Sequence, residues 1–294
     1  MLMRTRILAA VGVGLALLAT TAACGSSKPK TGTPSYAATQ ASFAPGSTME
    51  KLHNAGKINI GVKFDQPGIG MKNPATDKPE GFDIEIAKVV AAALGLKPEQ
   101  INFQEAVSKN REPFLQNGTV DLVIASYSIT DTRKKVVGFA GPYYQTGQQL
   151  MVRKDDSSIK GPDDLSGKKV CSVTGSTPLA NIQNKYKSAI AVPFATYTEC
   201  VQQLTNGSVD AVTTDGAILL GYAAAQPTKL KVVGEPFSKE KYGIGVKLED
   251  TAFRNFINDV LQKAIDNGDW KKAYEATLGK SGNAAPQPPT LERY

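Results

Sequence analysis

The sequence is poor in the residues on which much enzyme chemistry depends. Of 294 residues only one is histidine, one is tryptophan and three are cysteine. Neither Cys171 nor Cys200 belongs to a Cys-x-x-Cys motif, and His53 lies far from both in sequence. That argues against a metal site and against a cysteine–histidine nucleophile. No Gly-x4-Gly-Lys-Ser/Thr pattern is present, so a phosphate loop is excluded and no cofactor is expected. The formal charge is +7, but the lysines are scattered and no nucleic-acid motif accompanies them, so nucleic acid is not an expected partner. A soluble surface accounts for the excess, and net charge by itself names no ligand. Residues 7–21 are uncharged, yet as a helix they would cover only about 22 Å, short of the roughly 30 Å hydrocarbon core.

What is present begins with that segment. Arg4 and Arg6 precede it and Ala22-Ala23 follow it, which is the order of a secretory signal. Thr21-Ala22-Ala23-Cys24 resembles a lipobox, in which the cysteine becomes the acylated first residue of the mature chain; Thr21 stands where leucine is commonest. A plain secreted protein with an incidental cysteine is the alternative. The expected organisation is a signal peptide over residues 1–23 and a lipid-anchored flexible tether over 24–48. The tether follows from the Ser, Thr, Pro, Ala and Gly of residues 25–47, which offer little to bury. Residues 281–294 carry Pro286, Pro288 and Pro289 and read as a second flexible tail. With Cys24 assigned to lipid, Cys171 and Cys200 are an even pair in an oxidising compartment. A disulfide between them is expected, two separate buried thiols being the alternative.

Between the tails, strand-like and helix-like segments alternate. Residues 58–64 read as a strand, and Asp83 as the cap of a helix with Ile86, Val89, Val90, Ala93 and Leu94 at helical spacing, ended by Gly95. Residues 101–103 form a short strand, 111–117 a helical turn or two stopped by Gly118, and 120–125 a buried strand. This βαβ order implies α/β architecture with a mainly parallel sheet. Asn117-Gly118-Thr119-Val120-Asp121-Leu122-Val123 is echoed 89 residues later by Asn206-Gly207-Ser208-Val209-Asp210-Ala211-Val212. The echo suits two lobes of one architecture and sets Ser126 opposite Asp215. Both lie just past the C-terminal end of a strand, where open α/β sheets bind ligands.

The polar residues at these ends suit a zwitterion. Ser126 and Ser128 bring two hydroxyls to a strand end, Thr130 or Asp131 can cap the next helix, and Arg133 lies in its first turn. A guanidinium matches a carboxylate as a planar fork, and a helix N-terminus adds partial positive charge. In the second half, Thr174-Gly175-Ser176-Thr177-Pro178 joins a strand over 169–173 to a helix starting near Pro178. Gly175 there would let backbone N–H groups approach an anion. Asp215, at the facing edge, is the natural acceptor for an ammonium.

Several motifs resemble the polar amino-acid-binding proteins of ABC importers, solute-binding family 3. They are Gly81-Phe82-Asp83-Ile84-Glu85-Ile86-Ala87-Lys88, Asn117 to Leu122, Ser128 to Arg133, Phe139-Ala140-Gly141-Pro142-Tyr143-Tyr144, Asp164-Leu165-Ser166-Gly167-Lys168-Lys169-Val170, Gly175-Ser176-Thr177, Val209-Asp210-Ala211 and Tyr242-Gly243-Ile244-Gly245-Val246. Their order is the family's, from about residue 50 to 280. The resemblance implies a two-lobed, type II periplasmic-binding-protein-like fold with two crossing strands and a cleft that closes on its ligand. Lobe 1 would be 49–149 plus 240–280 and lobe 2 150–239, with crossings near 149–152 and 237–242.

It also implies that Ser126, Ser128 and Arg133, with Ser176 and Thr177, grip an α-carboxylate, and that Asp215 accepts the ammonium. Lys63 and Arg111 fall where acidic-amino-acid binders place cations; a solvated strand-end lysine and a helix-surface arginine are the alternatives. Asp65-Gln66-Pro67-Gly68-Ile69-Gly70 departs from the family's Asp-x-x-Pro-Phe and lacks its ligand-covering ring. This version looks like the glutamate-binding subgroup of actinobacterial uptake systems. The implied function is a monomeric extracytoplasmic lipoprotein, not an enzyme, that hands glutamate to an ABC permease. Aspartate, glutamine and asparagine remain alternative ligands. A sensor subunit and a periplasmic dehydratase-like enzyme are the alternative functions.

The lipid anchor has a direct test. Metabolic labelling with a fatty acid should mark the wild-type chain and leave Cys24→Ala unmarked; equal labelling of both would remove Cys24 as the attachment point.

Overall fold

The computed structural model describes residues 34–38, 42–281 and 284–294. Residues 1–33, with the expected signal sequence and Cys24, lie outside the described residues, as do 39–41 and 282–283. In chain order the first half comprises α1 (Thr48–Ala55), β1 (Ile58–Val62), β2 (Asp65–Gln66), β3 (Gly70–Lys72), β4 (Pro79–Glu80), α2 (Phe82–Ala93), β5 (Ile101–Glu105), α3 (Arg111–Gln116), β6 (Leu122–Val123), α4 (Asp131–Lys134) and β7 (Gly138–Thr146). There follow β8 (Gln148–Arg153), β9 (Lys169–Val173), α5 (Thr177–Lys185), β10 (Ile190–Phe194), α6 (Tyr197–Thr205), β11 (Ala211–Asp215), α7 (Gly216–Ala225) and β12 (Leu230–Val233). The chain closes with β13 (Glu240–Val246), α8 (Thr251–Asp266) and α9 (Asp269–Glu275).

Two five-stranded sheets are found among the described residues, ordered β5-β1-β6-β13-β7 and β10-β9-β11-β8-β12. In each, three parallel strands are followed by antiparallel ones. The first sheet, with the helices around it and the small β2-β3-β4 sheet, forms lobe 1; the second forms lobe 2. The parallel strands read as apolar runs because helices cover both faces: Ile58, Ile60, Val62, Leu122 and Val123 are buried in lobe 1, and Val170, Cys171 and Val173 in lobe 2.

The chain crosses between lobes twice, at Gly147 and over residues 234–239. The first crossing falls before the expected 149–152, which already pairs with β11 and β12. The cause is the length of β7, whose pairing with β13 runs as far as Thr146. The crossings touch each other: the Phe237 N–H donates to the Gln148 carbonyl at 2.9 Å, and a Cβ on Gly147 would sit 2.4 Å from the Ser238 carbonyl oxygen.

The 89-residue echo is structural. Gly118 and Gly207 both take the left-handed conformation, at φ 68° and 81°, after α3 and α6. Asp121 accepts from the Asn59 N–H at 2.8 Å and Asp210 from the Lys169 N–H at 2.7 Å. Each aspartate thereby ties the strand that follows it to the neighbouring parallel strand, β1 in lobe 1 and β9 in lobe 2.

Three expectations need correction. Asp83 does not cap α2; Gly81 is the N-cap and Asp83 lies in the first turn, wholly buried. The segment before α1 is not wholly unpacked, because Phe43 stands edge-on to His53 and Phe256 at 5.7 Å and Tyr36 packs against the core. The average composition of the segment hid these two rings. Residues 284–294 also dock on lobe 1. The Glu292 N–H donates to the Gly141 carbonyl at 2.7 Å and the Phe139 N–H to the Tyr294 hydroxyl at 2.9 Å. Arg254 and Lys134 face the Tyr294 ring at 4.2 and 4.5 Å.

Cys171 on β9 and Cys200 on α6 are bonded, with Cα atoms 5.5 Å apart. A loop closed over a separation of 29 residues is worth roughly 3–4 kcal/mol in the chain-entropy account. Replacing both cysteines by alanine should lower the thermal midpoint by roughly 6–16 °C. An unchanged midpoint would show that the bond contributes nothing to the folded state.

Candidate functional site in the cleft

Past β6 the chain crosses the C-terminal edge of the lobe 1 sheet through Ser126, which has φ 42°. A non-glycine residue there is held by its surroundings, and Asp83 does the holding. Its Oδ2 accepts from the Ser126 N–H at 2.7 Å and its Oδ1 from the Tyr143 hydroxyl at 2.6 Å. Burial raises the Asp83 pKa to about 6, against the pull of these two hydrogen bonds. Four residues on, Thr130 caps α4 by accepting from the Arg133 N–H at 3.2 Å, which turns Arg133 back toward the strand end.

Arg111 begins α3 and Arg133 belongs to α4, and both guanidiniums lie on the ring of Tyr127, at 4.5 and 5.0 Å from its centroid. Arg111 donates to the carbonyls of Ser108, Ala125 and Ser126 at 3.1 Å each. Arg133 pairs with Glu112 at 2.9 Å and donates to the Ser128 carbonyl at 2.7 Å. Lys63, just past β1, is buried and donates to Ser108 Oγ at 2.8 Å. Neither Lys63 nor Arg111 is a solvated surface residue. Burial lowers the Lys63 pKa to about 7, with the nearby Arg111 charge adding to the effect. Burial likewise lowers Arg111 to about 10, with Arg133 contributing.

Lobe 2 faces this cluster with the loop after β9 and the end of β11. Ser176 is the N-cap of α5 and accepts from the Leu179 N–H at 3.1 Å, so the helix starts at Thr177, one residue before the expected Pro178. Gly175 serves the site differently from the expected anion-binding backbone. Its carbonyl accepts from Arg111 at 3.2 Å and from Arg133 at 2.9 Å, across the cleft. Its φ is 83°, and a Cβ there would lie 2.7 Å from Lys109 Cα, so glycine is what allows the lobes to approach this closely. Asp215 ends β11. Its Oδ2 accepts from the Tyr242 hydroxyl at 2.5 Å, and its buried Oδ1 has no hydrogen-bond partner among the described residues. Burial raises the Asp215 pKa to about 7, the Glu240 carboxylate adding to the rise.

Arg111, Ser126, Ser128, Ser176, Thr177 and Asp215 line one small cavity. Lys63, Arg133 and Gly175 stand directly behind it through the contacts above. The cavity offers a water-sized sphere about 10 Å³, room for about one water. No amino acid fits until the lobes part. Sequence reasoning missed Ser108, Tyr197, Thr214 and Ile218 in the lining, and Asp83, Glu240 and Tyr242 behind it. Tyr197 had a usable signal: Thr196 and Glu199 form a capping box, which marks a helix start at that place. The others are polar or apolar residues of strands and helix turns, with no local pattern to separate them from core.

A family profile described as bacterial extracellular solute-binding proteins, family 3, matches residues 58–280. The chain is 35% identical over 288 residues to the glutamate-binding protein GluB of Corynebacterium efficiens, covering 95% of this chain and 92% of the relative. It is 40% identical over 229 residues to the ABC transporter glutamine-binding protein GlnH of Bacillus subtilis, covering 78% and 83% respectively. Among solved structures it is similar to an ancestral arginine-binding protein bound to glutamine, with a TM-score of 0.72 and 37% identity over 76% of this chain and 98% of that one.

The buried charges make a pH test. Asp215 holds its proton to about pH 7 when folded, against 3.8 ordinarily, so the folded form binds the extra proton between those values and stability falls as pH rises through them. Lys63 releases its proton near pH 7 when folded, against 10.5, so stability rises from pH 7 toward 10.5. Relative to wild type, Asp215→Asn should gain stability between pH 4 and 7, by up to about 4 kcal/mol. Lys63→Met should show its advantage at neutral pH and lose it toward pH 10. Chemical denaturation across pH measures both, and parallel curves for wild type and variants would contradict these shifts.

Proposed function

The chain belongs to the bacterial extracellular solute-binding proteins, family 3, and from that premise we propose that it captures L-glutamate outside the cell and hands it to an ABC permease. The observation that carries this reading is the pairing across one buried cleft of an Asp215 oxygen without a partner and the guanidiniums of Arg111 and Arg133. A free amino acid brings the complementary charges, an ammonium for Asp215 and a carboxylate for the arginines. The names of the two relatives above, a glutamate-binding and a glutamine-binding protein, support the same class of ligand.

With the lobes apart, the outer nitrogens of Arg111 and Arg133 lose the Gly175 carbonyl. The ligand carboxylates then replace a neutral acceptor with charged ones, the α-carboxylate at Arg133 and the side-chain carboxylate at Arg111, and charge-assisted hydrogen bonds are roughly twice as strong as neutral ones. Ser128 adds a hydroxyl donor from lobe 1, while Thr177, 3.4 Å from it across the cleft, donates to Glu240 at 2.9 Å and offers an acceptor. Ser126 offers a second hydroxyl, and Ser176 holds the start of α5 in place. The ammonium takes Asp215 Oδ1. Lys63, reached through Ser108, and Arg111 receive the side-chain carboxylate. A side-chain carboxylate beside Lys63 favours the protonated form that burial disfavours, so an acidic ligand is selected over its amide.

The reading is of a binding protein and not an enzyme. The sole histidine sits on α1 and bonds the Leu94 carbonyl at 2.8 Å, away from the cleft lining, and recovery of unaltered glutamate after incubation tests this. No helix among the described residues is long and apolar enough to cross a membrane. Attachment through acylated Cys24, as a monomer on the outer face of the cell membrane, completes the proposal.

Titration calorimetry with glutamate and glutamine tests the ligand assignment. Truncating one partner of a buried charge pair costs about 2–5 kcal/mol, or roughly 30-fold to several thousand-fold in affinity. Arg133→Ala should weaken both amino acids, since both carry the α-carboxylate. Lys63→Met should weaken glutamate far more than glutamine. Equal losses for the two ligands in Lys63→Met would take away the physical basis for glutamate.

A further inference from the structure

One set of contacts between the lobes lies outside the ligand cavity. The turn joining β2 to β3 belongs to lobe 1, yet it packs against α6 and α7 of lobe 2. The Asp65 carboxylate accepts from the Tyr197 N–H at 2.7 Å, and the Tyr222 hydroxyl donates to the Asp65 carbonyl. Gly221 faces the Pro67 carbonyl so closely that a Cβ would lie 2.2 Å from its oxygen. None of Asp65, Pro67, Gly221 or Tyr222 is among the residues that line the cavity.

The local chemistry shows why Asp65 is needed there. At the start of α6 the Thr196 hydroxyl serves the Glu199 N–H, and the Glu199 carboxylate serves the Ala195 and Thr196 N–H groups. The Tyr197 N–H is a first-turn donor that the helix itself cannot satisfy, and an anion at a helix N-terminus is also favoured by the helix dipole. The carboxylate that meets it comes from the opposite lobe. Parting the lobes breaks this bond and the Tyr222 bond, and closing them restores both.

We propose that the Asp65–Gly68 turn is a latch that stabilises lobe closure, and that Asp65 is a positioning residue for closure and not a ligand contact. This deepens the proposed function, on which it rests for the identity of the ligand. A contact made only in the closed form shifts the balance between open and closed lobes by its own free energy. It therefore strengthens every ligand that requires closure by the same factor. It also holds Tyr197, at the first position of α6, against the cavity.

Gly221→Ala is the sharpest test, because alanine favours a helix interior over glycine and leaves α7 able to form while obstructing the approach of Pro67. Small-angle scattering of the purified mature chain should give a larger radius of gyration for Gly221→Ala than for wild type, without added amino acid. Tyr222→Phe should weaken glutamate and glutamine by one common factor through faster dissociation, and Asp65→Ala should weaken glutamine roughly ten- to a hundredfold, with a smaller loss for glutamate because the Asp65 charge acts on Lys63. The latch is refuted by an unchanged radius together with unchanged affinity in Gly221→Ala. It is equally refuted if Tyr222→Phe alters the preference between the two amino acids, since that hydroxyl bonds the Asp65 carbonyl and lies outside the cavity lining. A wild type that binds neither amino acid would instead refute the ligand assignment, and the scattering comparison would still decide the latch.

Discussion

The rest of the site depends on the burial of three basic side chains, Lys63, Arg111 and Arg133, at the edge where one sheet faces another. Charges taken out of water are costly unless they are paired and hydrogen-bonded. Arg111 and Arg133 meet that requirement with backbone carbonyls, the Glu112 carboxylate and the Tyr127 ring. Some of their donors nevertheless point across the cleft and find only a neutral carbonyl of the other lobe, that of Gly175. The lobes are thus drawn together by an interaction that a carboxylate improves upon. On the proposed function, a ligand carboxylate would not create closure but strengthen it.

Asp215 states the same principle with the opposite sign. It is buried, has one oxygen on Tyr242 and the other without a partner among the described residues, and is held toward its neutral form by burial. An ammonium placed beside it would favour ionisation, because a nearby opposite charge stabilises the charged form. A zwitterion therefore relieves desolvation at both ends of the cleft. A ligand with only one of the two charges relieves half of it.

The backbone makes these approaches possible at a few places. Gly175 and Gly221 each lie where a Cβ would collide with backbone of the opposite lobe, at Lys109 and Pro67. Gly147 lets the two crossings run side by side. Ser126 takes a conformation that usually favours glycine, and Asp83 and Tyr143 hold it there. The two lobes are close-packed where they meet, at positions outside the core of either lobe.

Much of this was legible in the chain because its signals are local. The helix–glycine–strand echo, the hydroxyls at 126 and 128, the cap at Thr130 before Arg133 and the loop after β9 are each written within a few consecutive residues. Together they set Ser126 and Asp215 on facing edges. Composition was a weaker guide: it read residues 25–47 and 281–294 as unpacked, because averages over Pro, Ala and Ser conceal single anchors such as Phe43 and Tyr294. Tertiary structure alone decided which polar groups meet. Asp83 looked like a helix cap, and its wholly buried place under Ser126 follows from packing α2 against a strand end 43 residues away. Gly175 looked like an anion-binding turn, and its carbonyl is turned to the arginines only because two crossings bring lobe 2 onto lobe 1. Periodicity and capping are properties of neighbours in sequence, whereas desolvation and partner choice depend on what the fold brings within about 3 Å.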